Sequence, residues 1–226
     1  ISQGIYLGGP EGSDEEGNGL RADTPVATFE RAKELLNELP NPENQKIFIV
    51  GPVVIKNSGE AETWSLSKGI VQRYQTYTEE LVHVEQGAAL TLEDITIDGS
   101  IDSEDSYLKV TSPMIRNKGT LNIADKAILQ NNHNVYRDVD KEGGAVNNEG
   151  TLNMTGGTIQ NNSAVSGGGV FNSGVFNFSG GEIKDNEAKG THKSNGISKA
   201  VGAAGGGVFI AGSITRGGGR NGEMFF

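Results

Sequence analysis

The stretch 150–174, GTLNMTGGTIQNNSAVSGGGVFNSG, constrains this chain more than any other because it recurs. A copy beginning GTLNIADKAILQNN at Gly119 closes with GGAVNNEG, and one beginning GVFNFSGGEIKDN at Gly174 closes with GGGVFIAG. A degenerate copy begins GAALTLEDITIDG at Gly87. Repetition decides the fold ahead of local propensity, since each unit must bury its apolar side against a neighbour. Starts at Gly87, Gly119, Gly150, Gly174 and Gly212 are spaced by 32, 31, 24 and 38 residues. The excess falls between the Asn pair and the Gly-Gly-x-Val segment, so a constant frame carries one variable loop. Within the frame Leu152, Met154, Ile159 and Val170 alternate with polar residues or stand alone between Gly and Asn, which is the strand period. Three short strands joined by Gly- and Asn-rich bends of positive φ predict one coil of a parallel β-helix. A leucine-rich repeat would need a leucine and asparagine consensus that these copies lack.

Coils stacked at about 4.8 Å bring equivalent positions into columns. The expected inward ladders are Leu121, Leu152 and Phe176; Ile123, Met154 and Phe178; Ile97, Ile128, Ile159 and Ile183; and Ile115, Val146, Val170 and Val208. Asn131 with Asn132, and Asn161 with Asn162, matched by Asp185 with Asn186, fall at a bend. Their amides are expected to bond the backbone of the next coil, a structural role rather than a catalytic one.

Residues 1–45 divide from the coils of 46–226. The first part opens with a short strand, IYLGG, and an acidic loop in which Asp14, Glu15 and Glu16 are a possible calcium site, although the spacing departs from a dedicated calcium loop. Thr24 and Pro25 have the chemistry of a helix start, and Val26, Phe29, Ala32, Leu35, Leu36 and Leu39 form one apolar stripe ended by Pro40 and Pro42. Such a helix is expected to cover the open end of the first coil, where apolar core and unpaired backbone meet water. KIFIVGPVVI, Trp64, Leu66, Ile70, Val71 and the LVHV of 81–84 then supply two irregular coils, with Trp64 in the core and His83 on the outer face.

Residues 1–100 carry 17 acidic and 7 basic side chains, a net of −10, whereas 101–226 carry 12 of each. An acidic end and neutral coils argue against a nucleic-acid partner. No stretch approaches the roughly 20 apolar residues of a membrane span. With no cysteine, thiol catalysis and zinc thiolate sites are excluded. No initiator Met or signal peptide is present, so the chain is expected to be a mature or excised fragment.

The segments YLGGPEGSDEEGNGLRADTPVATFERAKELL, IFIVGPVVI, Arg73-Tyr74 and GAALTLEDITIDG resemble the N-terminal module of right-handed β-helix proteins on the surface of Gram-positive gut and oral bacteria. The GTLNMTGGTIQNN and GGGVFNSG repeats resemble the coils of the same adhesin-like proteins, and the likeness runs to about Gly212. It implies an all-β chain, a right-handed single-stranded solenoid with an N-terminal amphipathic capping helix, displayed on a cell surface or secreted. Pectate-lyase-like enzymes share that architecture, and no catalytic set comes with the resemblance.

The insertions 100–111, 133–142, 163–166 and 187–204 leave from one corner and are expected to stack into a ridge. On it, Tyr107, Tyr136, Asp138, Asp140, Lys189, His192 and Lys193 are the candidate ligand-binding residues. Three readings remain open: a surface for a polysaccharide, host glycan or host protein; a glycoside hydrolase using Asp105 and Asp140, or a lyase using calcium with Arg116 or Arg137 as base; and a structural spacer of a larger protein. No zincin, nucleophile-elbow or P-loop motif occurs. The final GSITRGGGRNGEMFF starts a coil at Gly212 and then departs from the frame, with Met224, Phe225 and Phe226 as a possible second cap.

Overall fold

The computed structural model describes residues 4–100, 109–134, 142–189, 191–194, 197–200, 205–216 and 222–224, with the backbone alone described for 191–194, 197–200, 216 and 222–224. Strand β1 (Gly4–Leu7) and helix α1 (Phe29–Glu38) precede a series of strand triplets. The first triplet is β2 (Lys46–Ile49), β3 (Val53–Ile55) and β4 (Glu62–Trp64), and the second is β5 (Ile70–Arg73), β6 (Val82–Val84) and β7 (Ala89–Leu92). The third is β8 (Thr96–Asp98), β9 (Ile115–Asn117) and β10 (Thr120–Ile123). The fourth comprises β11 (Ile128–Gln130), the two-residue β12 (His133–Asn134), β13 (Val146–Asn148) and the start of a ten-residue β14 (Thr151–Gln160), which turns a corner into the fifth. There β15 (Ser163–Ala164), β16 (Val170–Asn172) and β17 (Val175–Lys184) repeat the pattern. β18 (Glu187–Ala188), β19 (Thr191–Ser194), β20 (Ile197–Ala200), β21 (Val208–Ile210), β22 (Ser213–Arg216) and β23 (Gly222–Met224) follow.

Each triplet pairs in parallel with the next, strand over equivalent strand, giving a mostly β molecule of curled parallel sheets that is compatible with a parallel β-helix. A first face runs β1-β2-β5-β8-β11-β14 and a second runs β3-β6-β9-β13-β16-β21. A third runs β4-β7-β10-β14 and joins the first into one sheet, because β14 and β17 continue through their corner. Glycine makes that corner: Gly157 and Gly181 have φ of 75° and 91°, and a Cβ on Gly157 would sit 2.6 Å from the Ala127 carbonyl. The hairpin of β19 and β20 is antiparallel.

Register places Leu121, Leu152 and Phe176 in one column, Ile123, Met154 and Phe178 in a second, and Ile115, Val146, Val170 and Val208 in a third, all buried. The remaining ladder differs by one residue from the sequence expectation. Leu129, not Ile128, stands between Ile97 and Ile159, while Ile128 faces outward beside Thr96 and Thr158. In a strand a shift of one residue exchanges the two faces, and the fully buried Leu129 shows which phase prevailed.

The helix also starts later than Thr24-Pro25 suggests. Val26 bridges to Leu7: its N–H donates to the Tyr6 carbonyl and its own carbonyl accepts from Gly8 N. Thr28 is the N-cap, its hydroxyl accepting from Arg31 N. From this start Phe29, Ala32 and Leu36 enter the same core cluster as Ile5, Ile47 and Trp64, and Phe29 stacks on Trp64 at 4.6 Å with the rings 11° apart. At the other end β22 and β23 continue the parallel pairing on β17, with Met224 opposite Ile183, so the final segment keeps the frame that its sequence disguises. Phe225 and Phe226 lie outside the described residues.

Candidate functional site

Of the ridge candidates, Tyr107, Tyr136, Asp138 and Asp140 lie outside the described residues, as do Asp105 and Arg137. His192 and Lys193 fall on β19, opposite Lys199 and Ser198. Lys189 is half-buried, bonds the Ala164 carbonyl through its backbone and ion-pairs with Glu187. The roots of the last three insertions are strands rather than free loop: β12, β15 and β18 stack in parallel. Beneath them run the amides. Asn132 N donates to Asn162 Oδ1 at 3.1 Å, Asn162 N donates to Asn186 Oδ1 at 3.0 Å, and Asn186 Nδ2 reaches the Ile159 carbonyl at 2.8 Å. Asn131, Asn161 and Asp185 hold the bend itself at φ of 59°, 54° and 53°. With those carbonyl and amide groups paired to backbone, this corner is framework.

The groups that converge and still face water lie on the first face. Alternation sends Ile5, Leu7, Ile47 and Ile49 inward, so Tyr6 and Phe48 point out. Tyr74 joins them just beyond β5. The Tyr6 and Phe48 rings stack at 5.4 Å, and Tyr74 meets them edge-on at 5.4 and 6.0 Å. All three are half-buried. Partial burial, with the neighbouring Tyr74 phenol second, raises the Tyr6 phenol above its ordinary pKa, so the ring stays neutral well past physiological pH. Below this trio the same outward row continues with Gln72, Asp98, Gln130 and Gln160. Gln72 donates to Ser100 Oγ at 2.8 Å, Gln130 to Asp98 Oδ2 at 2.8 Å and Gln160 to Gln130 Oε1 at 3.0 Å. Gln130 and Gln160 thus each donate once within the row and Gln72 donates once to Ser100 beside it, while an amide has two N–H groups. The result is an apolar platform at one end of a strip of fixed polar groups.

Charge gathers elsewhere. On the second face Glu80 bridges His83 and Arg116, each at 2.9 Å, and Arg116 also reaches Glu149 at 3.4 Å. Arg116, a candidate lyase base in sequence, is held between these two carboxylates. Asp14, a candidate calcium ligand, is likewise engaged: its carboxylate accepts from Ala27 N at 2.7 Å, Thr28 N at 3.0 Å and Thr28 Oγ1 at 2.6 Å. Among the described residues no three His, Asp or Glu side chains gather as a metal group, and no helix is long and apolar enough to cross a membrane.

The aromatic trio is the feature that repeat analysis missed, because Tyr6 and Phe48 lie outside the repeats. A signal was present, since Gly-Ile-Tyr-Leu and Lys-Ile-Phe-Ile both put an aromatic residue in the water-facing phase of an alternating strand. No family model, curated protein or solved structure matches this chain.

Proposed function

We propose that the chain is a non-catalytic, extracellular binding module of the adhesin-like, right-handed β-helix kind, and that its first face holds a polysaccharide or surface glycan. The observation that carries this reading is the outward trio of Tyr6, Phe48 and Tyr74 at the head of the Gln72, Asp98, Gln130 and Gln160 row. A sugar ring has an apolar C–H face and a polar rim. An exposed aromatic platform accepts the former, and neighbouring amides and a carboxylate accept the latter. Parallel stacking keeps the row straight along the molecule, which suits a chain-like ligand. In this reading α1 closes the end of the stack.

The test is retention of the purified protein on a panel of immobilised host and plant polysaccharides, with release of new chain ends followed in parallel. Retention without cleavage is expected. Tyr6→Ala, Phe48→Ala and Tyr74→Ala should each weaken it about tenfold or more, with melting little changed because the rings lie outside the core. New chain ends would show an enzyme instead, and retention that survives all three changes would remove the first face from consideration.

A further inference from the structure

At the N-terminal end of the stack the three faces are finished differently. The first face carries an additional strand, β1, laid on β2. The third face ends at β4, which pairs with β7 and shares a groove with the first turn of α1, where Phe29 stacks on Trp64. In the parallel register Thr63 lies opposite Thr91, and the Trp64 carbonyl accepts from Glu93 N at 3.1 Å, so Glu62 and Trp64 direct their backbone groups toward β7. Thr63 therefore directs its N–H and C=O the other way. It is exposed, and among the described residues neither group has a hydrogen-bond partner.

That edge borders a groove of about 320 Å³ lined by Thr28, Phe29, Glu30, Glu62, Thr63 and Trp64. The volume is within the ~300–1,000 Å³ typical of ligand pockets. Glu30 and Glu62 are exposed at its mouth, and no basic side chain lines it. A free strand edge inside an acidic groove is a template for one more strand, with the main chain supplying affinity and the side chains supplying selection.

We infer that the groove between α1 and β4 binds an extended, lysine- or arginine-bearing peptide segment of another protein, which adds as a strand on Thr63. A second copy of this chain is disfavoured by charge, because residues 1–100 carry a net of −10 and would face their like. The inference stands apart from the glycan reading, since it concerns a different face and a different ligand.

Trp64 is the chain's single tryptophan and lines the groove, so its emission reports occupancy directly. The probes are a short peptide alternating Val and Lys, the same peptide with Glu for Lys, and the Val-Lys peptide with alternate backbone nitrogens methylated. A saturable change in Trp64 emission is expected with the first probe and not with the other two. Thr63→Pro removes a donor that no strand of the fold uses, so it should leave the fold intact and weaken binding by about tenfold. Glu62→Gln and Glu30→Gln should weaken binding less and reduce its salt dependence. Equal binding of the methylated peptide, or no response to the Val-Lys peptide at millimolar concentration, would overturn the inference. The methylated probe remains decisive even if Thr63→Pro fails to fold.

Discussion

Asn148 stands in the middle of a buried run of amides at the corner after the second face. Asn117 Nδ2 donates to Asn148 Oδ1 at 2.7 Å, and Asn148 Nδ2 donates to Asn172 Oδ1 at 2.6 Å. The run begins at Asn117 because the equivalent residue one triplet earlier is Val84, which leaves Asn117 Oδ1 buried without a donor. Position in the run sets the cost of removal. Asn148→Ala leaves one donor and one acceptor unpaired, whereas Asn117→Ala leaves one acceptor and abolishes an existing orphan. Asn148→Ala should therefore be the more damaging by about 2 kcal/mol in denaturant titrations. Arg73 poses the opposite problem, a cation fully buried in the wall of the core. Its guanidinium donates to the carbonyls of Gly99, Tyr77 and Glu79 and to Asn132 Oδ1, and lies over the Tyr77 ring. Burial lowers its pKa to about 10 and raises that of the Tyr77 phenol, whose hydroxyl donates to the Glu80 carbonyl. The two act in opposite senses at alkaline pH. Above the ordinary tyrosine value the unfolded chain releases the Tyr77 proton while the native state keeps it, so stability falls as pH rises. Arg73 sheds its proton in the native state first, so over the interval up to the ordinary arginine value it contributes a rise. Tyr77→Phe removes the falling contribution and should move the alkaline unfolding midpoint, followed by circular dichroism, to higher pH.

Among the elements, α1 shows how tertiary pairing overrides a plausible local signal. Thr24-Pro25 has suitable chemistry for a helix start, yet Val26 is taken by β1, and the cap passes to Thr28, which Asp14 holds from 14 residues away. Asp14→Ala should therefore cost about 2 kcal/mol, through lost charge-assisted bonds, and the loss in melting temperature should be the same with calcium or with a chelator. A calcium-dependent loss would restore the acidic loop as a metal site. The misplaced ladder residue has a different origin. Ala-Ile-Leu-Gln puts two large apolar residues side by side, and alternation alone does not choose between Ile128 and Leu129. Counting back from the bend does, because Leu129, Ile159 and Ile183 all lie two residues before a positive-φ Asn or Asp. The repeats thus made the strands and most columns legible. The aromatic trio was less so, since it depends on β1 lying in register on β2 across some forty residues of unrelated sequence. His192 and Lys193 are held by the β19–β20 hairpin rather than by the repeat, so the spacing of the repeats said nothing of their register.

For the whole molecule, the parallel order means that every backbone hydrogen bond between triplets points along the stack. A load applied to the two ends would therefore fall on those bonds in series, each junction bearing all of it, and the molecule would part at its weakest junction and not yield evenly. Cross-links between successive turns then decide the breaking point. From the third triplet onward the Asn117, Asn148 and Asn172 run provides one at every step, but Val84 supplies none above it. Arg73 stands at that gap. It belongs to the second triplet, binds Gly99 beyond β8 in the third and Asn132 beyond β11 in the fourth, and so acts as a rivet through three plates. Pulled in a single-molecule instrument, Arg73→Met should rupture first between the second and third triplets and at lower force than the parent, even under conditions where both are equally folded at rest.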